Sequence, residues 1–153
     1  MNVQEVMTSD VQSCGLGTNL AAAAILMWDM DCGVLPVVNG EGQVLGMITD
    51  RDICMACATR HRAPAELTVF DAMSGKTHRC KVSDDVHIAM DMMEREQVRR
   101  LPVVDEEGVL QGVISINDLI LFAGGSKASA IPLQDVAKTL KAISAHRIPV
   151  GTR

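Results

Sequence analysis

The side chains best suited to bind an anion stand together in residues 46–52, which read Gly-Met-Ile-Thr-Asp-Arg-Asp. The apolar start predicts a buried strand, and the polar end predicts a helix that begins directly after it. Thr49 is placed to cap that helix, and Asp52, three residues on, completes a capping-box pattern. From the residues alone, the cap explains the hydroxyl and the carboxylate adequately.

The same corner also has the chemistry of a phosphate site. A helix that begins at the end of a strand presents free backbone N–H groups and a positive dipole to an anion. The Thr49 hydroxyl could reach a phosphate, and the Arg51 guanidinium could form a charge-assisted pair with it. The Asp52 carboxylate would repel a phosphate and better suits the hydroxyl groups of a ribose.

A second copy of this corner occupies residues 112–118, which read Gly-Val-Ile-Ser-Ile-Asn-Asp. Ser115 and Asp118 repeat the capping pattern, but Asn117 stands where the first copy has its arginine. The second corner therefore carries no cation of its own. Arg99 and Arg100, just before the preceding apolar strand, could compensate.

The two corners belong to an internal repeat with a shift of 66 residues. The same shift places residues 35–38 on residues 101–104, both Leu-Pro-Val-Val, and Met7 on Met73. A register kept over about fifty residues indicates a true duplication, and two small copies that share a core predict one compact unit. The predicted divisions are a first repeat at 1–62, a second repeat at 63–123 and a C-terminal extension at 124–153.

Composition limits the classes of function. The chain has 153 residues, 48% of them hydrophobic, but only one Trp, two Phe and no Tyr, so aliphatic and methionine side chains must fill the core. The net charge of −5 argues against nucleic acid as a partner, since nucleic-acid binding needs clustered cations. The chain opens with polar and acidic residues and contains no apolar run of membrane-spanning length, so neither a secretory signal nor a membrane partner is predicted. Five cysteines without such a signal favour the cytoplasm.

Each repeat is predicted to hold a helix, a hairpin of two strands and a second helix. Pro36 cannot donate to a ladder, so its strand should lie at an edge or face a cleft. The predicted elements are helix 20–30, strands 34–38 and 43–48 and helix 50–59 in the first copy, then a helix from 84 or 85 to 96, strands 100–104 and 109–114 and helix 116–122 in the second.

A segment outside the repeat follows a stop at Gly-Gly-Ser, residues 124–126. Pro132 suits a first helical position, so a short amphipathic helix is predicted that ends before Pro149. Its apolar stripe, expected to dock on the rest of the protein, consists of Leu133, Val136, Leu140 and Ile143.

The duplicated pattern resembles a pair of cystathionine-β-synthase (CBS) domains. The resemblance rests on Val6-Met7 and Ala72-Met73, which open the two copies, on both Leu-Pro-Val-Val strands and on both corners, and it covers roughly residues 3–122. It implies an α+β fold of tandem β-α-β-β-α repeats, related by a pseudo-twofold axis that leaves two clefts. It further implies a regulatory adenine nucleotide such as AMP or ATP, or S-adenosylmethionine, with no catalytic cofactor. A disc-shaped homodimer that signals to an unidentified protein partner is also implied.

The resemblance also implies which residues bind the ligand. We expect the first cleft, with Thr49, Arg51 and Asp52, to hold the phosphorylated ligand, and the second cleft to bind more weakly or stay empty. Contacts to the base are expected from the Leu-Pro-Val-Val strands and from the residue after each opening loop. The other expected ligand-binding residues are Ser13, Val34, Leu35, Pro36, Arg79, Arg100, Leu101, Pro102, Ser115, Asn117 and Asp118.

Two other functions stay open. Cys54, Cys57 and His61 share one face of a helix and could form a thiol or metal sensor. A structural zinc site normally has four ligands, however, so buried cysteines on a packing face are the favoured interpretation. The second alternative is a scaffold module without a ligand, acting through its Met-rich helices and basic C-terminal segment. No phosphate loop, zinc-protease motif or nucleophile elbow is present, so the sequence predicts neither catalytic nor metal-binding residues.

Overall fold

The computed structural model describes residues 1–124 and 131–146, which form two helix-and-hairpin units and a C-terminal helix. Every predicted helix and strand in these residues is confirmed to within two positions. In chain order the elements are α1 Leu20–Asp29, β1 Val34–Val38, β2 Val44–Thr49, α2 Asp50–Arg60, α3 Val69–Ala72, β3 Cys80–Lys81, α4 Val86–Glu96, β4 Arg100–Val104, β5 Leu110–Ser115, α5 Ile116–Phe122 and α6 Leu133–Ser144, with 3₁₀ turns at Val3–Glu5 and Pro64–Glu66.

The last helix ends at Ser144, so the prediction that it ends before Pro149 is confirmed. Of the predicted stop at 124–126, residues 125–126 lie outside the described part of the chain. Among the helices that are described, none has both the length and the apolar composition that a membrane span requires.

Each repeat contributes one antiparallel hairpin. β1 pairs with β2 and β4 pairs with β5 in matching registers, and each hairpin has a bulge at the same place. The predicted edge position of the proline strand holds only in part: β1 has β2 on one side and the isolated bridge from Cys14 on the other, whereas β4, with Pro102, lies between β3 and β5. Cys14 and Cys80 are buried at equivalent positions, Cys14 bridging to Val37 and Cys80 lying in the short strand β3 beside β4.

Reciprocal contacts relate the two repeats by a pseudo-twofold axis. Gln43 and Val109, which form a bridge between the hairpins, are superimposed by the 66-residue shift, so the bridge lies on the axis. Contacts that are unchanged when the two repeats are exchanged indicate a twofold axis between them. The flanking hydrogen bonds are equally reciprocal, from Val44 N to Gly108 O at 3.0 Å and from Leu110 N to Gly42 O at 3.0 Å.

The opening segment of each repeat packs in the core of the other. Val3 and Val6 are buried among side chains of the second repeat, while Leu67 and Val69 are buried in the first. Backbone hydrogen bonds fix both exchanges, from Val3 N to Asp84 O at 2.9 Å and from Val69 N to Thr18 O at 2.8 Å. Neither repeat therefore has a complete core without the other.

The C-terminal helix α6 docks against α4 and α5, as predicted, but its buried stripe differs from the prediction. Val136 and Ile143 are buried, whereas Leu133 is 63% exposed and Leu140 is 39% exposed. Thr139, which is fully buried, takes the place between them. Its hydroxyl donates to Glu94 Oε1 at 2.7 Å, and a polar group with a partner can be buried at little cost.

We expect Gly112→Ala to lower the free energy of unfolding by about 2–3 kcal/mol, because it would overpack the contact between repeats. A Cβ at Gly112 would stand 2.5 Å from Thr8 O, a backbone atom that Val113 N holds at 2.9 Å. Gly46, the equivalent glycine, faces the flexible end of Met73 instead, so Gly46→Ala should cost less than about 1 kcal/mol. Urea unfolding of both variants measures the difference, and equal losses would contradict this packing.

Candidate functional site

The first corner forms the helix cap that its sequence predicts. Asp52 N donates to Thr49 Oγ1 at 3.1 Å, and Thr49 N donates to Asp52 Oδ2 at 2.9 Å. The pair is partly buried at the junction of β2 and α2. Among the described residues, no group donates to Asp52 Oδ1, so one carboxylate oxygen stays available to a ligand.

This corner opens into a cleft of about 800 Å³. The cleft lies between the β2–α2 junction and two segments of the second repeat, and it brings together the expected residues Thr49, Arg51 and Asp52 with Val34, Arg100 and Leu101. Its remaining lining residues are Gly33, Met47, Asp50, Ser74, Lys76, Thr77, His78, Gln97, Val98, Arg99 and Ile143.

The cleft is rich in positive charge. Arg51, Lys76, Arg99 and Arg100 all line it and are all exposed, against the two carboxylates of the α2 corner. Sequence reasoning missed Lys76, which lies in the loop after α3 and matches no motif. A cleft wall with an excess of cations raises the local concentration of anions and favours their binding.

Arg99 and Arg100 link the first cleft to the second corner. Arg99 O accepts a hydrogen bond from Ile116 N at 3.0 Å, so this pair begins beside the second corner, where we expected it to act. Both residues nevertheless line the first cleft. Their charges therefore add to that of Arg51, the cation that the sequence predicted for the first corner.

The second corner has the same cap but fewer free groups. Ser115 N donates to Asp118 Oδ2 at 2.7 Å, and the Thr8 hydroxyl donates to Asp118 Oδ1 at 3.3 Å, so both carboxylate oxygens are engaged. Asn117 stands exposed at the position of Arg51. The 66-residue shift puts Asp10 at the position of Lys76, so a cation of the first cleft is matched by an acid here.

Several expected ligand-binding residues lie away from the first cleft. Ser13 lines a separate depression beside Val38, and Arg79 lines another, with Lys81 and Glu106. Leu35 is buried in the first core. Pro36 and Pro102 are buried inside their strands.

The cysteine cluster on α2 does not form a closed site. Cys54 is exposed, which makes its predicted burial wrong, while Cys57 is partly buried against the first core. Within residues 1–124 and 131–146, no three His, Cys, Asp or Glu side chains are close enough to hold a metal ion. Burial raises the pKa of the Cys14 thiol to about 11 and that of the Cys80 thiol to about 12.

Comparison with known families follows the same division of the chain. The sequence profile of the CBS domain matches residues 3–59 and 68–125. The chain belongs to the CBS-domain family. The two matches correspond to the two repeats, and the α+β fold of a CBS-domain pair is therefore confirmed.

Known proteins of similar length share this organisation. The chain is 29% identical over 137 residues to the uncharacterized protein YlbB of Bacillus subtilis, covering 89% of this chain and 91% of that protein. It is 26% identical over 140 residues to Hypoxic response protein 1 of Mycobacterium tuberculosis, covering 92% of each. A crystal structure of Hypoxic Response Protein I with two coordinated zinc ions superimposes with a TM-score of 0.72 at 27% identity, covering 79% of this chain and 98% of that one.

A second solved structure has the same fold and was determined with bound ligands. The CBS domain pair of protein MJ0100, solved in complex with 5′-methylthioadenosine and S-adenosyl-L-methionine, superimposes with a TM-score of 0.71. The identity is 21%, and the match covers 83% of this chain and 98% of that one. At this identity, the likeness establishes the fold.

We expect iodoacetamide at pH 8 to alkylate Cys54 at least 100-fold faster than Cys14 or Cys80. With pKa values of about 11 and 12, the two buried thiols form roughly one thiolate in a thousand or fewer at that pH, and both are shielded from the reagent. Peptide mass spectrometry over time measures the rates, with the urea-unfolded chain as the control. Labelling of Cys80 as fast as Cys54 would contradict the packing of the second core.

Proposed function

We propose that this CBS-domain pair is a non-catalytic regulatory module that binds an adenine nucleotide in the first cleft. The observation that carries the proposal is the meeting of a capped helix N-terminus, a half-engaged carboxylate and four cations in one cleft. The cleft volume of about 800 Å³ is within the range of small-molecule sites.

Each part of a nucleotide finds a chemical match in this cleft. The available oxygen of Asp52 suits a ribose hydroxyl, since an ionised carboxylate only accepts hydrogen bonds. Arg51 and Arg100 suit phosphate oxygens, to which guanidinium groups donate in charge-assisted pairs. The partly buried apolar side chains of Val34 and Met47 suit one face of a base.

The charge of the cleft favours a nucleotide with more than one phosphate. Four cations face two carboxylates there, so ADP or ATP offers more compensating charge than AMP. S-adenosylmethionine carries a cationic sulfonium and no phosphate, which makes it the poorest match. The protein MJ0100, with its 5′-methylthioadenosine and S-adenosyl-L-methionine, supports an adenine ligand for this fold.

Regulation requires that another protein respond to the ligand-bound state of the cleft. A ligand acts as a switch when it binds one conformation more strongly than another, and we propose that a homodimer of this chain presents the difference to a protein partner. The five free thiols suit a cytoplasmic setting.

A specific surface favours the scaffold alternative. On α1 and α2, the side chains of Ile25, Trp28 and Met55 are 61%, 86% and 50% exposed. Ile25 and Trp28 are three residues apart on α1 and so share one helix face, and neighbouring exposed apolar groups are typical of protein contacts. The scaffold function would use this surface without any nucleotide.

We expect ATP at a hundred times its dissociation constant to stabilise the fold by about 2.7 kcal/mol, as binding to the native state alone requires. Thermal-shift assays with ATP, ADP, AMP and S-adenosylmethionine test this, and no shift with any of the four favours the scaffold.

The ribose contact is tested with adenosine, which carries no phosphate. Asp52→Asn should weaken adenosine binding roughly tenfold through the lost ionised acceptor, whereas the matched Asp118→Asn should change it less than about twofold. Calorimetry that finds both variants at wild-type affinity would remove the first cleft from the proposal.

The contribution of charge is tested by a second matched pair. We expect Arg51→Ala to weaken ATP binding roughly tenfold and adenosine binding hardly at all, because its guanidinium pairs with phosphate. Asn117→Ala, at the equivalent position of the second repeat, should leave both affinities unchanged. An equal loss for adenosine and ATP in Arg51→Ala would contradict a phosphate contact.

A further inference from the structure

We propose that a ligand bound in the first cleft tightens the docking of α6. The effect of binding would thereby reach the C-terminal segment of the chain. This inference rests on the proposed nucleotide site. The helix lies outside both CBS repeats, and its last turn borders the cleft through Ile143. The cleft and the C-terminal extension therefore share a wall.

Gln97 connects the first cleft to the end of α6. Its side-chain Nε2 donates to Ala142 O at 3.2 Å and to Ala145 O at 3.1 Å, while the residue itself lines the cleft. Ala142 O also accepts from Ala145 N at 3.3 Å, but the last carbonyl groups of a helix have few donors within the helix and take others from outside. Gln97 therefore holds the end of α6 from a position inside the candidate site.

Backbone continuity connects Gln97 to the phosphate-binding cations. Gln97 ends α4 in the left-handed conformation, with φ 51°, and Val98, Arg99 and Arg100 follow it directly along the cleft wall. A phosphate that holds Arg99 and Arg100 restricts this short segment. Restricting the segment also fixes the Gln97 amide against the carbonyl groups of α6.

The other side-chain hydrogen bonds and ion pairs described for α6 lie before its last turn, so the stability of that turn depends most on the Gln97 side-chain amide. Toward the middle of the helix, Thr139 donates to Glu94 Oε1 at 2.7 Å and Lys138 pairs with Glu94 Oε2 at 3.4 Å. Beyond them, the contacts described for residues 131–146 that hold the end of α6 include buried Ile143 and the Gln97 amide. Helix ends open locally at much lower free energy than the whole fold, so an added restraint there has a measurable effect.

Hydrogen exchange of the full chain, followed by mass spectrometry with and without saturating ATP, tests the proposal. We expect ATP to slow exchange of the amides of residues 139–145 by about fivefold or more, the size of a typical coupling between sites. Gln97→Asn keeps the left-handed backbone, which Asn tolerates, but its shorter side chain cannot span both carbonyl groups. In this variant the effect of ATP on residues 139–145 should fall below about twofold.

Asp31→Asn is the matched control. Asp31 occupies the equivalent left-handed position after α1, with φ 47°, and lies outside the lining of the first cleft. This variant should keep the full effect of ATP on α6. Loss of the effect in Asp31→Asn as well as in Gln97→Asn would overturn the assignment of the coupling to Gln97.

Calorimetry on the same samples separates the two possible failures. If ATP binds in the first cleft but exchange of residues 139–145 stays within twofold of the unbound rate, the coupling to α6 is wrong and the nucleotide site stands. If neither ATP nor AMP binds, both the nucleotide site and the coupling that depends on it are overturned.

Discussion

Backbone pairing across the pseudo-twofold axis is the interaction on which the rest of the structure depends. Val3 and Val69 each donate to a carbonyl group of the opposite repeat, so each core contains a segment that the other repeat supplies. A unit of about sixty residues buries too little surface to be more than marginally stable alone. The exchange removes that limit, and it also sets the β2–α2 junction against the segment before β4, which creates the first cleft.

Symmetry of the backbone is combined with asymmetry of charge. Both corners keep the capping box, because the strand-to-helix turn needs it to satisfy backbone N–H groups. The positions around the box carry no such structural requirement, and they differ: Arg51 against Asn117, and Lys76 against Asp10. Duplication thus leaves the fold unchanged while the two corners acquire different electrostatic character, and only the first has the charge that suits a phosphorylated ligand.

The limits of sequence reasoning are clearest where burial depends on distant parts of the chain. The exposure of Cys54 could not be predicted, because no local pattern states which face of α2 is covered. The burial of Thr139 was missed for a related reason, since its cost depends on a partner 45 positions away, Glu94. Lys76 lies in a loop without a motif, and its place in the cleft follows from the exchange of segments between the repeats.

The sequence by itself determined the helices, the hairpins, the two caps and the duplication, because these depend on residues close in the chain and on periodicity. With the resemblance, it also identified Thr49, Arg51 and Asp52 as a group, which the structure keeps together. Only the tertiary structure decided that Arg99 and Arg100 face the same cleft, and that Gln97 holds the end of α6. Those relations join residues far apart in the chain, so they are set by how the two repeats pack rather than by any local pattern.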